Sequence, residues 1–304
     1  MTPTAAAALA AVALAALCPG CGLDLGEPTE WVDVATIEGA LAAEHGAADE
    51  MPAVPAGSRR TLRVATYNVN LGADPEGLAA QLRANPALAA ADVLLLQEEE
   101  AFPAERASRT RRLATALGMG WSYVPGRMKG DGTHGLAILS RFPIEDAHVM
   151  TLPRTEAWKP RIAIRAEVVV GEARLPVVNV HLETRINITD RILQLRPAVL
   201  ELPAAVIVGG DVNTNPFLWE EGEVPLVPLA QIADTDQAPL LDDYMRALGF
   251  ATPAAGVGAT HRVHGVESRL DAIYTRGLVV TAAQVERTLT TSDHWPVWVD
   301  VTLP

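Results

Sequence analysis

Residues 205–214 read Ala-Val-Ile-Val-Gly-Gly-Asp-Val-Asn-Thr. Val206, Ile207 and Val208 are apolar without alternation, the mark of a central strand covered on both faces. The run then ends in a carboxylate, Asp211, and an amide, Asn213. The same ending recurs along the chain. Asn68 closes Val64-Ala65-Thr66-Tyr67, Gln97 and Glu98 close the run Val93–Leu96, and His181 closes Val177-Val178-Asn179-Val180. Asp271 lies on a fifth such segment, and Asp293-His294 stands just before a sixth. One polar strand end only shows where a strand meets solvent. Several together predict one cleft built from strand ends, the rigid positions where scaffolds hold ligands and catalysts.

Outward from these ends, the apolar pattern predicts strands over 62–68, 92–97, 121–125, 135–141, 144–150, 161–170, 174–182, 205–210, 269–275, 278–286 and 295–302. Apolar residues at three- and four-residue spacing predict helices over 75–84, 103–117, 188–201 and 239–248. Many strands interleaved with few helices describe a layered α/β fold with much antiparallel sheet. Residues 214–238, rich in proline and acids, read as a long loop beside the site.

The chain has 304 residues, 24 basic and 37 acidic, for a net charge of −13. The first basic residue is Arg59, and eight acids precede it, so residues 1–58 carry −8 and the remainder −5. This divides the chain into an N-terminal leader at 1–21, an acidic tether at 22–60 with a short helix at 36–48, and one domain at 61–304. Residues 5–17 form an apolar run of 13, too short for the about 20 residues of a membrane span but suited to an export signal. The two cysteines, Cys18 and Cys21, follow it, and Cys21 after Gly20 is the candidate for lipidation. The expectation is an exported protein, periplasmic, extracellular or held at a membrane through Cys21 alone, and monomeric.

Glu98, Asp211, Asp271 and Asp293 offer hard oxygen donors, and Asn68 and Asn213 neutral ones, an inventory that favours Mg²⁺ or Mn²⁺ over zinc. Clustered carboxylates repel unless a cation or a cationic His stands among them. A divalent ion beside an imidazole is the equipment for hydrolysing a phosphate ester.

At these residues the sequence resembles the endonuclease/exonuclease/phosphatase superfamily, which contains DNase I, abasic-site endonucleases, neutral sphingomyelinases and inositol-polyphosphate phosphatases. The matching segments, in the family's order, are Ala65–Asn68, Leu96-Gln97-Glu98, Gly135–Arg141, Asn179–Leu182, Gly210–Thr214, Ser268–Asp271 and Ser292-Asp293-His294. The resemblance implies a four-layer α/β/β/α sandwich of two packed mixed sheets flanked by helices. It implies Glu98 as main metal ligand with Asn68 and Asp293. His294 oriented by Asp271, or else Asp211, would be the base. Asn213 and His181 would hold the phosphoryl oxygens, and His181 is the candidate to protonate the leaving group.

Ala272 stands where many relatives carry an aromatic residue, and Glu98-Glu99-Glu100 is unusually acidic. Lysine occurs only at positions 129 and 159, so there is no lysine-rich insert for DNA. Arg106, Arg109, Arg111 and Arg112 read as a solvated helix face sooner than a polyanion grip. His134 is placed in a loop at the cleft edge, as a substrate contact or a turn residue, and Trp158-Lys159-Pro160-Arg161 as substrate contact or packing. No strongly apolar hairpin is evident for entering a bilayer. The expected activity is a metal-dependent phosphodiesterase of nuclease type. Phospholipid or sphingomyelin phosphodiesterase, inositol-phosphate phosphatase, and an inert binding module on the same fold stand as the alternatives.

Overall fold

The structure is a computed structural model that describes residues 23–24, 29–50, 61–155, 159–220, 223, 233–234, 236–263 and 265–303. The apolar run 5–17, Cys18, Cys21, Trp158 and much of the 214–238 loop lie outside the described residues. Two mixed sheets face each other. The first runs in the order β16 (Val279–Val285), β17 (Val297–Thr302), β4 (Thr61–Asn68), β5 (Val93–Ala101), β7 (Gly132–Ser140), β6 (Gly120–Lys129) and β3 (Glu44–Gly46). The second runs β15 (Asp271–Arg276), β12 (Val206–Asp211), β11 (Ala173–His181), β10 (Ile162–Val170), β8 (Ile144–Thr151) and β2 (Val32–Asp33).

Three apolar cores account for the layers. One lies between the sheets and is built from Val64, Val93, Leu95, Ile138, Ile164, Val177, Ile207 and Val299. A second lies between the first sheet and α1 (Pro75–Ala84), α2 (Pro86–Ala89) and α3 (Arg109–Leu117), through Leu78, Leu82, Leu94, Leu96 and Leu113. A third lies between the second sheet and α4 (Ile188–Leu200) and α5 (Gln237–Ala247), through Val178, Val180, Leu195, Val208 and Met245. This is the α/β/β/α sandwich. The helix expected over 103–117 splits into a 3₁₀ turn at Pro103–Glu105 and α3. Arg106 takes the left-handed conformation at φ 65°, and Ser108 caps the new N-terminus by accepting from the Arg111 amide at 3.1 Å.

Each sheet has one parallel pair in the interior, β4 beside β5 and β11 beside β12, each joined through helices. Parallel neighbours run toward the same side, so Asn68 at the end of β4 sits opposite Gln97 of β5 and His181 opposite Asp211. β15 runs antiparallel to β12 and begins at this rim, with Asp271 opposite Asp211. Below the rim, Asn179 joins the two sheets. Its Nδ2 donates to the Leu96 and Ala137 carbonyls at 2.8 and 2.9 Å, while its Oδ1 accepts from Gln97 Nε2 at 2.7 Å.

The acidic tether reading is corrected for residues 29–50. Val32–Asp33 adds an edge strand to the second sheet through β8, and Glu44–Gly46 one to the first through β6. Val34 reaches the inter-sheet core, and no helix forms over 36–48; a 3₁₀ turn occupies Gly39–Leu41 instead. Pairing to exposed sheet edges, invisible in an acidic composition, decides this segment.

Candidate active site

Four strand ends, the bulge of β5 at Glu98 and the turn before β17 converge on a cleft of about 460 Å³. Asn68, Glu98, His181, Asp211, Asn213 and His294 line its floor. β12 is drawn tightly to β11 at Gly210, where a Cβ would stand 2.0 Å from the Val180 carbonyl oxygen. Only glycine allows the next residue, Asp211, to come so close to His181.

Asp271 and His294 form the tightest pair. His294 Nδ1 lies 2.8 Å from Asp271 Oδ2, which also accepts from Thr260 Oγ1 at 2.7 Å. Thr260 is itself fixed, its Oγ1 accepting the Leu270 and Asp271 amides at 3.0 Å each. The ring's other nitrogen, Nε2, faces Asp211 Oδ2 at 3.8 Å, and His181 Nε2 approaches the same oxygen at 3.5 Å. Asn68 Nδ2 donates to that oxygen at 2.9 Å, and the Asn213 amide to Asp211 Oδ1 at 2.9 Å. Asp211 therefore lies between two imidazoles and is steadied by two amides. Burial alone would push the His294 imidazolium down, but Asp271 and Asp211 overcome this and raise it to about 10. Burial lifts the Asp211 carboxyl to about 6 against the pull of His294. His181 is driven well below its ordinary value by burial and by the charges of Arg161 and His134, so it enters the cleft as a neutral ring.

Glu98 reaches the rim because β5 bulges there. The pairing with β7 shifts register between Gln97 and Glu99, and Glu98 adopts φ 62°, a strained conformation of the kind found at functional sites. The bulge also sorts the acidic run. Glu99 turns toward α3 and accepts from Thr110 Oγ1 at 2.9 Å, while Glu100 takes Lys129, His134 and Arg109. Burial would raise the Glu100 carboxyl, but His134 and Lys129 hold it below its usual range.

A divalent cation fits the donor set at this end. Among the described residues Glu98 has one long hydrogen bond, 3.4 Å from Asn68 Nδ2, and no ion pair. Glu98 shares the Asn68 amide with Asp211, and a hard cation would serve it better. Glu98 and Asn68 would hold it. The third expected ligand, Asp293, lies against His261, its Oδ2 3.6 Å from His261 Nε2, and is held below the usual carboxylate range by that imidazole. Two groups of His and acidic donors lie close enough to share an ion among the described residues: Asp211, Asp271 and His294, and His261, Asp293 and His294.

The remaining expected residues have definite places. Asn213 stands at φ 51° with its Nδ2 donating to the Leu182 carbonyl at 2.9 Å, so the amide braces the loop as well as facing the cleft. His134 is not in a loop: it lies within β7, buried, with Nδ1 3.2 Å from Glu100 Oε1. Arg109 and Arg112 are engaged by Glu100, Glu105 and Glu76, consistent with a helix face tied to its own protein. Arg269 pairs with Asp242, which leaves Asp271 to His294.

Sequence reasoning missed His261, the cleft wall of Phe217, Trp219, Val263 and Val266, and Arg191. His261 packs edge-on against His294, with ring centroids 4.6 Å apart. It opens the hairpin of β13 (His261–Val263) and β14 (Val266–Ser268), whose polar residues give no alternating signal. Phe217 and Trp219 form a cleft wall with Val263 and Val266, the two exposed apolar residues of that otherwise polar hairpin. Arg191 is wholly buried in α4 and donates to the carbonyls of Glu183, Val212 and Ile186 at 2.6, 3.1 and 2.7 Å. A signal existed for Arg191: it lies on the α4 stripe of Ile188, Leu195 and Ala198, where an apolar residue belongs.

A two-sheet sandwich with a His–Asp pair, a second aspartate and a rim glutamate in one cleft has the equipment of the phosphoesterase class. The sequence matches the Endonuclease/Exonuclease/phosphatase family over residues 65–294, and the chain belongs to that family. Among solved structures it is similar to an endonuclease/exonuclease/phosphatase from Beutenbergia cavernae, with TM-score 0.61 and 23% identity over 81% of this chain and 72% of that one. It is also similar to the human Nocturnin catalytic domain with bound sulfate, with TM-score 0.55 and 18% identity over 80% and 96%. A third likeness is to D. rerio TDP2 humanized by 14 mutations, with TM-score 0.54 and 20% identity over 79% and 98%. These likenesses are of fold. No curated protein matches the chain.

Proposed function

We propose that this chain is an exported, divalent-metal-dependent phosphodiesterase of nuclease type. The observation that carries the reading is the His294–Asp271 pair at 2.8 Å with Asp211 across the ring, at the floor of a cleft that ends in Glu98. Magnesium or manganese at Glu98 and Asn68, with Asp293 alongside, would neutralise charge on the phosphoryl oxygens. Asp271 and Thr260 hold the His294 ring in one orientation, so Nε2 faces the reacting group. Asp211 is the group placed to take the proton of the attacking water, with the His294 imidazolium beside it as proton donor, and neutral His181 and Asn213 donate hydrogen bonds to the phosphoryl group. The flat rings of Phe217 and Trp219 along one wall suit a nucleobase.

The exposed Val263 and Val266 at the cleft mouth favour a second reading, hydrolysis of a phospholipid headgroup. Full-length protein assayed with Mg²⁺ or Mn²⁺ against plasmid DNA, sphingomyelin vesicles and inositol phosphates separates the two. Plasmid nicking that EDTA abolishes and Mg²⁺ restores is the expected result. Cleavage of lipid alone overturns the nuclease reading, and EDTA-resistant hydrolysis overturns the metal.

A further inference from the structure

Beside Glu98 and His181 stand two arginines, Arg127 and Arg161, and the imidazole of His134. Arg127 on β6 pairs across the ladder with His134 on β7. Gly126, its neighbour, lies under Ile162 of the opposite sheet so closely that a Cβ would be 3.1 Å from that side chain. This brings Arg127 and Arg161, each adjacent in sequence to one of those two residues, to the same rim of the sandwich. β11 returns along β10 with Val180 opposite Ala163, which sets His181 beside them.

Two of the local acids are already engaged, and Glu98 faces the cleft. Glu183 pairs with Arg161 at 3.2 Å, and Glu100 is shared by Lys129, Arg109 and His134. Arg127 has no carboxylate partner among the described residues and makes one hydrogen bond, a 3.5 Å contact with the Met128 carbonyl. Burial and the like charge of Arg161 both work against its guanidinium. In a chain of net charge −13, a half-buried arginine with no carboxylate in ion-pair contact, next to a phosphoryl-binding histidine, calls for a ligand.

We propose that Arg127, with Arg161 and His134 beside it, is a binding site for a second phosphate on the same substrate molecule, adjacent to the scissile ester on the His181 side. This rests on the phosphodiesterase reading and narrows it. The substrate carries more than one phosphate, as a polynucleotide does, and a headgroup with one phosphodiester leaves Arg127 unused.

Calorimetric titration of the full chain in Mg²⁺ with thymidine 3′,5′-bisphosphate and with thymidine 5′-monophosphate tests this. The bisphosphate is expected to bind roughly tenfold tighter, as one added charge-assisted contact allows. Arg127→Met should abolish that advantage, and Arg127→Lys, which keeps the charge, should retain most of it. Equal affinities for the two nucleotides in the unaltered protein overturn the proposal, as does an advantage that survives Arg127→Met. The plasmid assay reads the other question separately. Nicking without any bisphosphate preference removes the second site and leaves the nuclease, whereas the preference without nicking keeps the site and removes the activity.

Discussion

Replacing Asp271 by Asn takes away a charge while leaving a shape. The Asn Oδ1 can occupy the position of Oδ2 and keep both the His294 and Thr260 bonds, and its Nδ2 falls where Oδ1 is buried without a partner. An unsatisfied buried donor costs about 1–3 kcal/mol, which a domain of this size tolerates. The electrostatic effect is larger. His294 is held at about 10 against an ordinary 6.5, a preference for the imidazolium of about 5 kcal/mol. Asp271, Asp211 and Asp293 share that preference, with burial opposing, and Asp271 contributes most of the three. Its removal should lower the His294 titration by roughly 1–3 pH units. Turnover of bis(p-nitrophenyl) phosphate in Mg²⁺ should fall by roughly 10²–10⁴, and the limb of the pH–rate profile that belongs to His294 should move to lower pH. Side-chain ¹⁵N spectra of the histidines read the titration directly. A folded Asp271→Asn protein with unaltered turnover and an unmoved profile would refute the assignment of His294 to proton transfer.

Three further outcomes test other parts of the structure. Burial lifts Glu99 to about 7 from 4.5, Thr110 and Arg109 opposing, so its contribution is full below pH 4.5 and is lost as pH rises through 7. Glu99→Gln should remove that loss and add about 3 kcal/mol at pH 8 and nothing at pH 4, and urea midpoints across that range check it. Arg191→Met strands the Glu183, Val212 and Ile186 carbonyls in the interior and should lower stability by about 3–5 kcal/mol, with turnover falling in the protein that still folds. Equal urea midpoints would show that those carbonyls find other donors. Deleting residues 1–58 removes β2, β3 and Val34 and should cost about 3 kcal/mol of buried apolar surface, seen as a lower thermal midpoint; an unchanged midpoint would mean the edge strands add nothing.

The sequence carried the sheets and the floor of the cleft because both obey local rules. Val206–Gly210 and Val93–Leu96 are apolar without interruption, and the polar residue that ends such a run has one place to go. Contacts that depend on a partner distant in sequence were not legible. Asn179 looks like another polar residue of β11 until Leu96 and Ala137 are seen across the sandwich. The hairpin from His261 to Ser268 lacks apolar alternation, so neither His261 nor the exposed pair Val263 and Val266 could be read from pattern. The bulge that separates the roles of Glu98, Glu99 and Glu100 depends on a pairing with β7 that no run of three acids announces.

The pairing of residues 29–50 with both sheets bears on how the cleft would meet a surface. Upstream of them, β1 (Leu23–Asp24) lies antiparallel to β9 (Arg154–Thr155), in the connection between β8 and β10 that carries Arg161 at the catalytic rim. An attachment at Cys21 would then be a mount instead of a leash. Two residues span at most about 7 Å, so a support held at Cys21 would lie within that reach of the β1–β9 pair.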